Sequence, residues 1–368
     1  MAKRFALKNS KGDKTDGCLI MIIVLLILMG LVILYSTGSY NGRVRFQDSA
    51  YYFKKQLFAA SLGMVCMYAV SRVDYHLLLR FAPWIYISSL CLSTLVLFIG
   101  DEYNGSKRWL SIGPLSFQPA ELAKLAVVLF ITWIITRDKK KKGLWILIKV
   151  ILLILPIVGL VGSNNLSTAI IILGIAVLLI FISSPCYLPF LGLGMTCVSF
   201  LGIFLVMESY RMERLAIWRN PEAYEKGFQT LQGLLAIGSG GIFGTGLGNS
   251  MQKLGFVPEA QNDMIFSIIC EELGLIGACL VMLLFGILIY RLFRIAAGYI
   301  DLEGLLISSG IMVHIALQVI LNIAVVTNTI PNTGITLPFI SYGGTSILFL
   351  LSELGLAISV SRYSNRRI

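Results

Sequence analysis

Long apolar runs separated by short polar connectors account for most of this chain. A membrane-crossing helix takes about 20 mostly apolar residues, and runs close to that length recur from one end to the other. The ten runs lie at about 18–38, 56–71, 82–100, 119–136, 144–162, 166–183, 187–207, 263–290, 303–325 and 341–360. The pattern therefore predicts an all-α polytopic membrane protein with ten transmembrane helices.

One long polar stretch, at roughly 208–274, breaks this pattern between the seventh and eighth runs. It passes through a glycine-dense run before the next apolar helix begins. We predict a single membrane domain over 18–361, flanked by cytoplasmic tails at 1–17 and 362–368. The large loop at 208–262 is the place where the sequence has room for chemistry.

The composition supports a membrane protein, because 57% of the residues are hydrophobic and only 13% are charged. The net charge of +11 does not indicate nucleic-acid binding, since the basic residues punctuate the apolar runs instead of forming one stripe. Seventeen Lys and Arg fall in the tails and loops of one side, and six fall in the short loops of the other. By the positive-inside rule, both termini should be cytoplasmic and the large loop extracytoplasmic.

The sequence contains no diagnostic metal-ligand pattern. Its seven cysteines form no CxxC pair, and His76 and His314 are the only histidines. Neither a zinc site nor a disulfide framework is therefore indicated, and no metal ligand is predicted. A divalent cation, Mg or Mn, is kept open as a cofactor of the reaction considered below.

Asp263 is the first candidate for catalysis. It stands at the mouth of the eighth apolar run, where free N–H groups and the helix dipole stabilise a carboxylate. The alternative is that Asn262 or Asp263 only caps the helix. Glu271 and Glu272 would lie about 12 Å further along the axis. An ionisable group at that depth indicates function or a buried ion pair.

Further ionisable residues lie within the apolar runs. Glu121 and Lys124 share a helix face at i, i+3 spacing, and Lys149 and Glu353 are also embedded. We expect some of these charges to pair across helices. A double-mutant cycle would reveal such a pair as non-additive losses.

Three irregular stretches are candidate binding elements. Glycines crowd 238–250, where backbone N–H groups could approach a phosphate or sugar; equally, the stretch could be a flexible loop or pack tightly on a helix. Arg108 and Trp109 combine a cation with an aromatic platform, the alternative being an interfacial Trp anchor. Segment 331–346 contains two prolines and predicts irregular backbone that lines a cavity.

Three motifs carry a family resemblance. They are NGSKRWLSIGPLSFQPAELAKLA at 104–126, the glycine-rich stretch with PEAQNDMIFSIICEELG at 227–277, and NTGITLPFISYGGTS at 332–346. Together they resemble the SEDS family (shape, elongation, division and sporulation), which includes FtsW, RodA and SpoVE. The likeness covers nearly the whole chain, and FQDSAYYFKKQ at 46–56 is more like the FtsW and SpoVE branch.

The resemblance implies a peptidoglycan glycosyltransferase of the bacterial cytoplasmic membrane that polymerises lipid II. It also implies a class B penicillin-binding protein as transpeptidase partner, with other membrane proteins of the divisome or elongasome. Asp263 matches the family's essential aspartate, whereas Arg108, Trp109, Glu121 and Lys124 match its NG-x-x-RW and QP-x-E-x-x-K positions.

The chain departs from the family pattern at three places. Ala120 replaces the serine of QPSE, SNNLSTA at 163–169 stands where the family has QPDLGT, and NDMIF at 262–266 stands where it has TDFIF. The key charged positions remain intact.

In the implied reaction, the C4 hydroxyl of one sugar displaces undecaprenyl pyrophosphate from C1 of another, with Asp263 as general base. The leaving pyrophosphate needs cations or N–H donors. The substrate-binding candidates are Arg108, Trp109, Glu121, Lys124, Arg211, Arg214, Lys253 and Ser341. Two other functions stay open: a lipid II flippase, which would use embedded charges and broken helices, and a non-catalytic divisome scaffold.

Overall fold

The computed structural model describes residues 16–103, 106–112, 115–138, 144–183, 215–298 and 301–366. Helices dominate these residues. They are α1 (Gly17–Phe46), α2 (Tyr51–Arg72), α3 (Tyr75–Arg80), α4 (Ala82–Ile99), α5 (Pro119–Arg137), α6 (Leu144–Asn164), α7 (Leu166–Ser183), α8 (Phe228–Gly240), α9 (Ile265–Ala297), α10 (Leu302–Val326) and α11 (Gly344–Arg366).

Eight helices of the described part are long and apolar enough to cross a membrane, namely α1, α4 to α7 and α9 to α11. This confirms a multi-pass helical membrane protein. The predicted run at 56–71 belongs to α2, which begins at Tyr51 and carries Lys54 and Lys55 near its start. The predicted run at 187–207 lies outside the described residues.

The expectation of an all-α fold is wrong at one connector. Residues 101–117 contain an antiparallel sheet of β1 (Asp101–Tyr103), β2 (Ser106–Ile112) and β3 (Leu115–Phe117), with β2 in the middle. Such a small sheet needs packing on another element to be stable. The central strand β2 packs against α4 and α5, and we call the described strands between these helices the β2 platform.

Several helices extend beyond the apolar runs that predicted them. α1 continues past residue 38 to Phe46, and α9 spans 33 residues, from Ile265 to Ala297. At 1.5 Å per residue, α9 is about 50 Å long, well beyond the hydrocarbon thickness of about 30 Å. Its ends must project from the membrane, or the helix must be interrupted.

The interior has two apolar clusters that share α10. One cluster joins α1, α2, α9 and α11 and includes Leu26, Phe285 and Leu354. The other joins α4 to α7 and includes Ile131 and Ile172. Because α10 contributes to both clusters, it lies between them, and polar residues on this helix lie inside the molecule.

Candidate active site

Asp263 lies half-buried in the turn that leads into α9. The N-cap position is Met264, whose side chain makes no capping hydrogen bond. Asn262 does not cap the helix either, because its Nδ2 donates to Glu259 Oε2 at 2.6 Å and its Oδ1 has no partner. The helix boundary therefore falls after both residues, and Asp263 precedes the N-terminal end of the α9 dipole.

An extended segment at 331–337 forms a wall beside Asp263. A methyl group built on Gly334, whose φ is +71°, would lie 3.8 Å from Asp263 Oδ2. The segment has no helix or strand of its own, as predicted for irregular backbone. Ser167 Oγ on α7 donates to Thr333 O at 2.5 Å, which holds one of its carbonyls.

Two side chains of α10 hold this wall from inside the protein. Asn322 is fully buried, and its Nδ2 donates to Asp263 O at 2.8 Å and to Ile335 O at 2.7 Å. Gln318 Nε2 donates to Thr336 O at 3.1 Å. Carbonyls of irregular backbone need such donors when no water is present. Asn322 therefore ties the Asp263 backbone directly to the wall.

Ser341 holds the same turn through a second set of hydrogen bonds. It is 5% exposed, its Oγ donates to Asn262 O at 2.6 Å, and it accepts from Leu337 N at 2.8 Å. Tyr342 N donates to Gln261 O at 2.9 Å beside it. These contacts make Ser341 a clamp between the wall and the Asp263 turn, whereas the sequence analysis considered it for substrate binding.

A buried polar chain runs from α5 through α10 to α11. Lys124 Nζ lies 3.0 Å from Glu121 Oε1 and donates to Gln318 Oε1 at 3.1 Å. His314 contacts the same Gln318 oxygen at 3.0 Å through Nε2, and Glu353 Oε2 at 2.7 Å through Nδ1. Glu121 and Lys124 thus reach the wall beside Asp263 indirectly, through Gln318.

A second buried ion pair joins α9 to the turn that contains Lys253, and not to another helix. Lys253 Nζ lies 2.6 Å from Glu272 Oε1, and Ser36 Oγ on α1 donates to the same carboxylate at 2.7 Å. Lys253 is 4% exposed and Glu272 is 2% exposed. The Lys253 ammonium is therefore engaged inside the protein by the Glu272 carboxylate.

The glycine run packs against a break in α9. Gly274 has φ +66°, and the carbonyls of Glu271 and Glu272 accept from Thr245 N at 2.9 Å and Gly246 N at 3.0 Å. A methyl group on Gly240 would lie 1.9 Å from Cys270 O. Of the readings left open for these glycines, close backbone packing therefore describes 240–246.

Arg108 and Trp109 lie on β2, where Trp109 pairs with Asp101 of β1. Arg108 Nε donates to Asn164 O at 2.9 Å, and Asn164 Nδ2 donates back to Lys107 O at 2.6 Å. The α6–α7 turn thus anchors the platform. The remaining candidates Arg211 and Arg214 lie outside the described residues.

Sequence reasoning missed the α10 residues His314, Gln318 and Asn322. Their signal was present, because they recur every fourth position of an apolar helix and so share one face. Polar residues in a membrane helix almost always face the bundle interior or a cavity.

Comparison with known proteins places these residues in a family context. Residues 16–366 match the FtsW/RodA/SpoVE family, described as cell cycle protein. Stage V sporulation protein E of Bacillus subtilis is 37% identical, with 97% of this chain and 99% of that protein covered. A probable peptidoglycan glycosyltransferase FtsW of Trichlorobacter lovleyi is 34% identical, with 94% and 93% covered.

Solved structures with the same fold are also similar over nearly their full length. A chain from a peptidoglycan synthase complex, solved to explain the coordination of polymerization and crosslinking, has a TM-score of 0.82 at 28% identity. The alignment covers 95% of this chain and 98% of that one. RodA of Thermus thermophilus has a TM-score of 0.71 at 28% identity, with 95% and 97% covered.

Proposed function

The chain belongs to the FtsW/RodA/SpoVE family of cell cycle proteins, and from this premise we propose how it performs glycosyl transfer. It is a multi-pass membrane protein, and its activity is that of a peptidoglycan glycosyltransferase. We propose that it joins lipid II units into glycan strands, with Asp263 as the general base.

The position of the Asp263 carboxylate is the observation that carries the base assignment. It is half-buried at the mouth of α9 and borders the wall at Gly334. Its backbone is fixed by Asn322, so the carboxylate starts from a defined place. A general base must lie within hydrogen-bond reach of the proton that it removes, and a fixed backbone favours that geometry.

The proposed glycosyl transfer needs one general base and no other proton acceptor. The oxygen of the C4 hydroxyl attacks C1 of the muramyl sugar, and its proton passes to the Asp263 carboxylate. The bond from C1 to the pyrophosphate oxygen breaks, and its electron pair leaves with undecaprenyl pyrophosphate. Direct displacement inverts C1 and needs no protein nucleophile.

The leaving pyrophosphate needs positive charge. Arg108 on the β2 platform and the two arginines at 211 and 214 stay candidates, whereas buried Lys253 is less suited. A divalent cation also stays a prediction. The described residues contain no group of three His, Cys, Asp or Glu side chains that could hold a metal ion, so no step is assigned to one.

We propose ten spans for the whole chain, made of the eight apolar helices, α2 and the run at 187–207. Both termini would then be cytoplasmic and Asp263 extracytoplasmic, as the Lys and Arg distribution favours. A class B penicillin-binding protein is the proposed partner. Similarity to a chain from a synthase complex concerned with polymerization and crosslinking supports it, and divisome or elongasome proteins would recruit the pair.

The deciding experiment is polymerisation of lipid II by the purified protein with its transpeptidase partner. Wild type, Asp263→Ala and Asp263→Asn are compared, with Glu222→Gln as control because Glu222 is an exposed acid of the same polar insertion. We expect glycan strands from wild type and control. Neither Asp263 variant should yield strands, although both stay folded and partner-bound.

Undiminished polymer from the Asp263 variants would overturn the base assignment. Glu259 would be the next candidate, although its carboxylate already lies 3.2 Å from Arg45 Nη1. If no protein makes polymer and lipid II instead crosses liposomes, the function is transport. The buried chain from Glu121 to Glu353 is the feature on which the transport alternative depends.

A further inference from the structure

The outer surface of residues 241–257 is mostly apolar although the segment lies in the polar insertion; Thr245 and Asn249 are its exposed polar side chains. Phe243 is 82% exposed, Met251 62% and Ile242 59%, and Leu247 and Phe256 are also exposed. The only ionisable residue in 241–257 is Lys253, which is buried against Glu272. The exposed face therefore carries large apolar side chains and no charge.

The contacts of this segment with α9 define its depth. Residues 273–290 of α9 contain no charged residue, and this stretch of about 27 Å nearly matches the hydrocarbon thickness. Leu275 N donates to Gly241 O at 3.0 Å and Ile276 N to Ile242 O at 3.2 Å. Ile242 and Phe243 therefore lie at the level of Leu275, just inside one end of the apolar stretch.

Several backbone N–H groups of the segment are paired within the protein, which favours a membrane environment. Beyond the two bonds from residues 245 and 246 to the break in α9, the Glu271 carboxylate accepts from Met251 N at 3.0 Å and Gln252 N at 3.4 Å. Ser250 Oγ also donates to it. Irregular backbone is tolerated at membrane depth where protein groups satisfy its polar atoms. The buried Glu271 carboxylate therefore has a structural role, as the acceptor for hydrogen bonds from residues 250–252.

We propose that residues 241–256 are inserted into the membrane, with Ile242, Phe243, Leu247 and Met251 among the lipid acyl chains of the leaflet nearest Asp263. The occupant of this apolar face is lipid, because the face continues the lipid-exposed surface of α9 at Leu275, which is 58% exposed. The inference goes beyond glycosyl transfer and depends only on the membrane location.

The test is fluorescence quenching of a single added tryptophan in lipid nanodiscs. Phe243→Trp is compared with Leu283→Trp, on the exposed apolar face of α9, and with Glu222→Trp, in the polar part of the insertion. Wild-type emission from the five native tryptophans is subtracted. The quenchers are phosphatidylcholine brominated on its acyl chains and aqueous iodide.

We expect brominated lipid to quench Phe243→Trp by about half or more, as for Leu283→Trp, since both lie in hydrocarbon. Iodide should quench Glu222→Trp and leave Phe243→Trp nearly unchanged. Iodide quenching of Phe243→Trp equal to that of Glu222→Trp would overturn the proposal. Protection from both quenchers would also overturn it, because protein and not lipid would then cover the face.

Discussion

Asn322 is the residue whose contacts most directly concern catalysis without belonging to the reacting groups. It is fully buried, and one amide group joins the carbonyl of Asp263 to that of Ile335. Among the described residues, no backbone N–H donates to either carbonyl, and the wall is neither helix nor strand. We therefore regard Asn322 as a positioning residue for Asp263.

Replacing Asn322 should reduce turnover more than substrate binding. For Asn322→Ala we expect kcat for polymerisation to fall about 10- to 100-fold, because a displaced base loses its alignment, while KM changes little. Asn220→Ala is the control, since Asn220 is exposed and its side chain makes no capping bond. Steady-state kinetics check this, and equal losses in kcat and folded yield would indicate a purely structural role.

Position along the chain made Asp263 a candidate, and the resemblance to a family with an essential aspartate at this position separated it from a simple helix cap. Position was not enough for Lys253 and Ser341. Both are polar residues in polar stretches, and their burial depends on contacts with Glu272 and Asn262 across the fold. Such contacts join residues distant in sequence, which periodicity does not report.

At the scale of elements, α8 and α9 approach each other through glycine. Gly240→Ala should destabilise the protein by about 3 kcal/mol, because the new methyl group would overlap Cys270 O at an overpacked contact. Gly238→Ala is the matched control, since nothing lies within 4 Å of its added methyl group. Its effect should be neutral or stabilising by up to about 1 kcal/mol. Thermal unfolding in detergent compares the two, and equal midpoints would contradict the packing.

The buried pair Lys253–Glu272 joins the glycine-rich segment to α9 and, through Ser36, to α1. Lys253→Met should cost about 3–5 kcal/mol, because it leaves a buried carboxylate unpaired. Glu272→Gln should cost a similar amount, and the double variant less than the sum. Unfolding midpoints of all four proteins give the coupling, and additive losses would show that the pair is energetically independent.

Hydropathy predicted the middle of each described helix better than its ends. The length of the apolar run follows membrane thickness, whereas the helical backbone continues past the run, to Phe46 in α1 and to Ala297 in α9. The strands at 101–117 were missed for another reason. They are short, and β2 is held by the reciprocal Lys107–Asn164 and Arg108–Asn164 contacts.

At the scale of the whole molecule, α10 lies between two apolar clusters and is tied to α3 at its start. His76 Nδ1 lies 2.7 Å from Asp74 Oδ1, and its Nε2 lies 3.0 Å from Asp301 Oδ2. Tyr75 OH donates to the same Asp301 carboxylate at 2.7 Å. Burial lowers the pKa of His76, but the hydrogen bonds and charges of Asp74 and Asp301 raise this pKa by a larger amount. The net result is a pKa above 6.5.

A raised pKa in the folded state means that protonation of His76 stabilises the fold. This contribution is complete below the unfolded value of about 6.5 and is lost as pH rises through the folded pKa. The unfolding midpoint should therefore fall as pH rises above neutrality, and His76→Gln should remove that part of the pH dependence. Thermal scans in detergent at several pH values test this, and identical slopes for both proteins would contradict it.

The overall architecture was predictable because apolar runs and basic connectors are dictated by the bilayer. The contact between Asp263 and the wall at 331–337 was less predictable, because it depends on α10 lying between the two apolar clusters. The His314, Gln318 and Asn322 spacing was visible in the sequence, but the partners of these residues come from α5, α11 and the wall.

The break at Gly274 has a consequence for insertions and deletions. Four backbone hydrogen bonds clamp α9 at residues 271, 272, 275 and 276, and each residue of an α-helix turns the chain by about 100°. One residue added within 265–273 would rotate Asp263 away from Gly334 or tear the clamp open. One residue added just beyond 276 would leave this spacing intact and would instead turn Phe285 and Leu288 out of the apolar core. The number of residues between Asp263 and Gly274 thus sets the orientation of Asp263 toward Gly334. We expect this segment to tolerate substitutions better than insertions or deletions.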